Sequence, residues 1–285
     1  MSPTSGRTMV DREALSALRH SILTSAFAPE GVPEKVAAAG VLAACPLESK
    51  SLEDFLRWGS TPSTTTAATS FGALARSAYA GTVEPGLVGP VAGEYGRRGV
   101  AGAVGIGAAA RMFDGLRTPA PQRMCTPIEP PKQNDETRPT LIRIRKAFDT
   151  VPPPWGVMSW QPRTLGRWWD LHEFVMAPGQ LTGDEKRLVM VAVCEVLGMA
   201  GLSGAYESLL AGWPKSEIEQ VLSAESRRIR RGVRSALVSI GAYATGALES
   251  ERFELAAAAM PQERAAEFRA LVDIAAGLAA FGPLS

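Results

Sequence analysis

The sequence predicts an all-α protein made of two related helical halves packed as one bundle. Three observations lead there. Alternation of β-branched residues, the mark of a half-buried strand, is almost absent. Alanine-rich segments with apolar residues at helical spacing dominate the 285 residues. Start and stop signals bracket these segments at regular intervals.

In chain order, Asp11 is placed to cap a first helix running to about Phe27. Pro33 suits the first turn of a second, which ends near Cys45-Pro46. A third is expected over about Ser49–Trp58. A fourth follows the polar run Ser60–Thr66 and reaches about Ala80, and a fifth covers roughly Arg97–Leu116. Residues 117–140 carry six prolines among polar residues and read as an extended linker able to bury little surface, with Cys125 exposed. A short helix follows Thr140, and Pro152-Pro153-Pro154 interrupts the chain. A helix is then expected from about Arg163 to Met176. Thr182 with Glu185 forms a capping-box signature for the next, which extends to about Leu197. Gly198 and Gly201 mark a break before Leu202–Ala211 and Lys215–Leu222. A longer helix spans about Glu225–Gly246, and Pro261 opens the last, which reaches Phe281. Residues 1–116 thus form one half, 117–150 a Pro-rich linker and 151–285 the other half.

Bulk composition excludes several classes. The net charge of +1 gives no global field for nucleic acid or an anionic membrane. The weakly polar stretch Gly99–Ala110 is shorter than the roughly 18–20 apolar residues of a membrane span. The polar N-terminus lacks an apolar signal core, so a cytoplasmic location is expected. Three cysteines without a close pair and two histidines give neither a disulfide framework nor a metal site, and no cofactor is expected. The Ala, Gly and Arg content suggests a GC-rich bacterial genome. Arg227, Arg228, Arg230, Arg231 and Arg234 lack interleaved aromatics and read as a solvated face or oligomer contact rather than a nucleic-acid reader. Gly99, Gly102, Gly105 and Gly107 follow no strand, which argues against a dinucleotide loop and for close helix packing.

The halves carry the same landmarks in the same order. His20 and His172 precede Glu34-Lys35 and Glu185-Lys186, each pair opening an apolar helix. Leu52–Leu56 before Trp58 matches Tyr206–Leu210 before Trp213. Tyr79 matches Tyr243, and Phe113–Leu116 matches Phe281–Leu284.

From the Pro-rich entry through Ala177-Pro178-Gly179, Leu181–Val189 and Ala211–Ile218, residues 150–285 resemble the AhpD-like (alkylhydroperoxidase / carboxymuconolactone decarboxylase) family. The resemblance implies an all-helical fold that assembles as a homo-oligomer, here a dimer or trimer. Peroxide-reducing members use a glutamate, a Cys-x-x-Cys pair and a following histidine, because a thiolate attacks the peroxide while Glu and His move the proton. At the matching positions this chain has Arg187, Met199, Leu202 and Tyr206. In the first half Cys45 falls near the first cysteine position without a partner thiol, and Glu53 stands near the histidine position. Thiol-peroxidase chemistry is therefore not expected.

Met199, Leu202 and Tyr206 are expected on one helix face, either as core packing or as a remodelled pocket in which Tyr206 donates a hydrogen bond and Arg187 clamps an anion. Arg187 needs solvent or an acid, and Glu173, Glu195 and Glu207 are the candidates. His172 is a structural hydrogen-bonder or a base. Trp168 and Trp169, with Trp155 and Trp160, wall a cavity or cover the core. Cys194, among apolar neighbours, is expected to be inert. Two functions follow. One is a cofactor-free enzyme of lyase or isomerase type, acting on a small carbonyl, lactone or biosynthetic intermediate through Tyr206, Arg187, Glu195 and His172, with Trp168, Trp169, Met199 and Leu202 binding substrate. The other is a non-catalytic ligand-binding or scaffold protein that keeps the fold alone.

Overall fold

The computed structural model describes residues 12–44, 64–114, 125–132, 134–222, 233, 236 and 259–284. Asp11, Cys45, Glu53, Trp58, Tyr243, the helix expected over 49–58 and the arginine run lie outside the described residues. So does the helix expected over 225–246, apart from Val233 and Ala236, which are helical and buried. Every element among the described residues is a helix.

The first half supplies α1 (Arg12–Phe27), α2 (Glu34–Ala44), α3 (Thr66–Ala80) and α4 (Pro85–Asp114). Thr65 caps α3 by accepting from the Ala68 N–H at 3.3 Å, and Gly81 at φ 81° closes it. The helix expected from Arg97 begins earlier, at Pro85, but breaks at Gly96, whose φ of 65° no helical residue adopts. Past that break, Val100 to Met112 are buried on every side, which makes this segment the centre of the protein. It packs against α1, α2, α3 and the C-terminal helix. The close packing expected of the glycine run is met at Gly107, where a Cβ would lie 2.4 Å from the Ala75 carbonyl of α3.

The second half supplies α5 (Arg138–Phe148), α6 (Pro153–Met158), α7 (Pro162–Met176), α8 (Gly183–Val196), α9 (Ala200–Ser208), α10 (Lys215–Leu222) and α11 (Gln262–Leu278), then a 3-10 turn, Ala279–Leu284. The capping box forms as expected: Thr182 accepts from the Glu185 N–H, and Glu185 accepts from the Thr182 N–H at 2.8 Å. Leu188 to Cys194 of α8 are all buried, while α7 buries a stripe through Leu165, Trp168, Trp169, His172 and Val175. The halves meet where α1 packs on α7 and α4 on α11. Arg19 of α1 pairs there with Asp273 of α11.

Most described residues of the Pro-rich run are exposed as expected, but Cys125 is not. Cys125 and Ile128 are buried, and their N–H groups donate to the carbonyls of Pro283 and Leu284 at 3.0 and 2.8 Å. The Cys125 thiol donates to the Val83 carbonyl at 3.3 Å. Proline cannot donate, but the residues between the prolines can, so the segment lies against the terminal turn. The triple proline opens α6, because a first helical turn tolerates proline.

Candidate functional site

Position 172 is the centre of the candidate residues. The His172 ring stacks on Trp169 at a centroid distance of 4.6 Å and an interplanar angle of 24°. Trp155 meets both rings nearly edge-on. Phe148 closes the cluster, 5.1 Å from the Tyr206 ring and perpendicular to it. Inside this apolar box His172 Nε2 and Tyr206 Oη are 2.7 Å apart, and both residues are buried. Burial holds the imidazole neutral by lowering its pKa to about 4 and raises the phenol well above its ordinary value. The pair is therefore a neutral hydrogen bond at physiological pH. The other imidazole nitrogen, Nδ1, has no partner among the described residues.

The remaining expected site residues separate into three places. Met199 and Leu202 line a pocket of about 280 Å³, together with Pro153 and Pro154 of α6, Gly201 and Gly282. Met199 precedes α9 as its N-terminal flanking residue, because Gly198 turns the chain at φ 71°; only Leu202 and Tyr206 share a face of the helix itself. Arg187 is half-buried and pairs with Asp184 at 3.0 Å, one turn back on α8. The three acids expected for it are not its partners, since the nearest carboxylate on its own helix takes that role. Asp184 also accepts from Trp213 Nε1 at 3.1 Å. Glu195 is exposed, with its carboxyl raised by partial desolvation and by the neighbouring Glu207. Trp168 is wholly buried against α11, where a Cβ on Gly277 would fall 2.2 Å from its ring. Trp160 is half-buried and donates to the Glu129 carbonyl.

Two charged residues form a centre that the sequence reading overlooked. Lys186 and Glu267 lie 3.2 Å apart with no exposed side-chain surface. Lys186 Nζ also donates to the carbonyls of Val175 and Ala177 at 2.7 and 2.6 Å. Glu267 accepts from the N–H groups of Gln180 and Leu181 at 2.6 and 2.9 Å. A Cβ on Gly179 would fall 2.1 Å from Glu267 Oε1, so glycine there lets the loop close over the carboxylate. Nothing in the sequence sets these two apart from the other charges on their helices, Asp184, Glu185, Arg187 and Glu195 on α8 and Glu263, Arg264, Arg269 and Asp273 on α11. In the first half, the matched His20 and Lys35 are both exposed.

Comparison with models of known families, with curated proteins and with solved structures finds no match to this chain.

What the arrangement can do is set by access. The titratable pair His172–Tyr206 is walled by rings, and the pocket beside α9 is lined without an ionisable side chain among the described residues. Burial raises the thiols of Cys125 and Cys194, so neither is a thiolate at neutral pH. Among the described residues no group of His, Cys, Asp and Glu is arranged to hold a metal, and no helix is long and apolar enough to cross a membrane.

Proposed function

We propose that this chain is a two-repeat, AhpD-like protein that has given up the family's chemistry and binds a small, largely apolar ligand at the start of α9. One observation carries the reading: Met199 and Leu202, the positions matching the family's cysteines, line a pocket, while His172 and Tyr206 are buried and take no part in its lining. Pro153, Pro154, Met199 and Leu202 supply apolar contact, and Ala200 and Gly201, the first two residues of α9, line the pocket at a helix start that no side chain caps. A ligand with an apolar body and one carbonyl or carboxylate oxygen suits that lining. The pairing of matched helices supports the duplication: α1 packs on its counterpart α7, and α4 on its counterpart α11. Assembly as a homo-oligomer in a bacterial cytoplasm belongs to the same reading and is checked by light scattering.

The test is a titration of small cyclic ketones, lactones and carboxylates, followed through the methyl resonance of Met199. Saturable shifts that vanish in Ala200→Trp, which fills the pocket mouth, support binding there. Shifts that persist in that variant, or no shift with any compound, overturn it. The acid–base reading, in which the chain is a lyase or isomerase, rests on the 2.7 Å contact between His172 and Tyr206. It requires the ring cluster to open, and turnover lost in Tyr206→Phe with binding retained would favour it.

A further inference from the structure

We infer that the groove between α1 and α7 is a second ligand site, built for a phosphorylated polyol. The groove has a volume of about 490 Å³, within the range of small-molecule sites, and lies away from the pocket at Met199. Its two walls differ in chemistry. On α7, Arg163 and Arg167 stand one turn apart and line the same side. Arg167 is exposed and has no hydrogen-bond or ion-pair partner among the described residues. Arg163 is 82% exposed at its side chain; its Nε lies 3.8 Å from Glu30, whose carboxylate also accepts from the Arg163 N–H at 3.2 Å and faces Arg98 at 3.8 Å. The Arg167 guanidinium is therefore free for a ligand, and that of Arg163 is held only by the longer contact to Glu30. Asp170, the acid among the groove's described lining residues, already accepts from Arg143 at 2.9 Å.

The α1 wall carries Ser21, Thr24 and Ser25. Each hydroxyl proton is committed to its own helix: Ser21 donates to Leu18, Thr24 to Ser21 and Ser25 to Ile22, at 2.7, 3.0 and 2.9 Å. The oxygens thus face the groove with lone pairs free, as acceptors. A ligand that satisfies both walls carries an oxyanion at one edge, for the forked guanidinium donors, and hydroxyl donors at the other. A sugar phosphate has that pattern, whereas a free phosphate or a neutral sugar meets only one wall.

The experiment is isothermal titration calorimetry on the full chain with glucose 6-phosphate, with glucose and inorganic phosphate as separate arms. Glucose 6-phosphate is expected to bind at least about tenfold tighter than either fragment, and Arg167→Gln to weaken it by roughly tenfold or more. Arg163→Gln should act in the same direction, and Arg97→Gln, outside the groove, should change nothing. Both groove arginines are exposed, so unchanged melting curves certify that the variants fold. Absence of saturable heat with glucose 6-phosphate overturns the inference. So does binding indifferent to both groove substitutions, or binding only to phosphatidic acid vesicles, which would assign the arginines to a lipid surface.

Discussion

Replacing Lys186 with methionine removes one half of a fully buried ion pair while keeping the volume of the side chain. The carboxylate of Glu267 then stays in the interior with the Gln180 and Leu181 N–H groups but no cation. Stranding one partner of a buried pair costs about 3–5 kcal/mol. The Val175 and Ala177 carbonyls lose their donor in the same step, which places the expected loss toward the upper end of that range. For a chain of this size the melting temperature should fall by roughly 5–15 °C. Glu267→Gln alone should cost a similar amount, because buried Lys186 loses the carboxylate that offsets its desolvation. The double variant removes both charges, and its loss should fall short of the sum of the singles by about 2 kcal/mol or more. Urea unfolding of the four proteins measures the three losses, and thermal melts measure the shift in melting temperature. Additive losses, or a Lys186→Met protein that melts within about 2 °C of the parent, would refute the view that this pair locks the loop between α7 and α8 onto α11.

The contribution of His172 to stability should be flat above pH 6.5 and fall as the pH drops from 6.5 to 4, since the unfolded chain protonates His172 near 6.5 and the folded chain only near 4. That window corresponds to about 3 kcal/mol lost by pH 4, and urea melts of His172→Gln should lack this share of the slope. Tyr206→Phe leaves the imidazole unpaired in an apolar box and should destabilise the fold by about 1–3 kcal/mol in the same assay. In a Cys45→Ser background, a thiol reagent should modify Cys125 and Cys194 only after unfolding, because both are buried; rapid reaction of the native protein would contradict their placement.

Where local chemistry decides the backbone, the sequence was legible. Thr182 and Glu185 satisfy each other's N–H groups within one turn, so the start of α8 could be read directly. The apolar stripe of α7 and the small-residue packing of Gly107 follow from periodicity in the same way. The early part of α4 was hidden by Pro90 and by glycines that normally signal a loop, and α6 by three consecutive prolines. Burial of Cys125 depends on carbonyls at the far end of the chain, beyond the reach of any local signal. The site divides along the same line. His172 and Tyr206 were each singled out by residue type, but their contact joins two helices and only the fold supplies it. The pairing of Arg187 with Asp184 is one helical turn long and could have been read from spacing alone, whereas Lys186 and Glu267 have no spacing to betray them.

A crystal structure after soaking with a cocktail of small ketones, lactones and carboxylates tests the central claim most directly. The expected result is a compound lodged between Pro153, Met199 and Leu202, its oxygen at the first turn of α9, with Phe148, Trp155 and Trp169 still closed around His172 and Tyr206. A compound touching Tyr206 Oη or the His172 ring through an opened cluster would contradict it and make the buried pair a working acid–base centre.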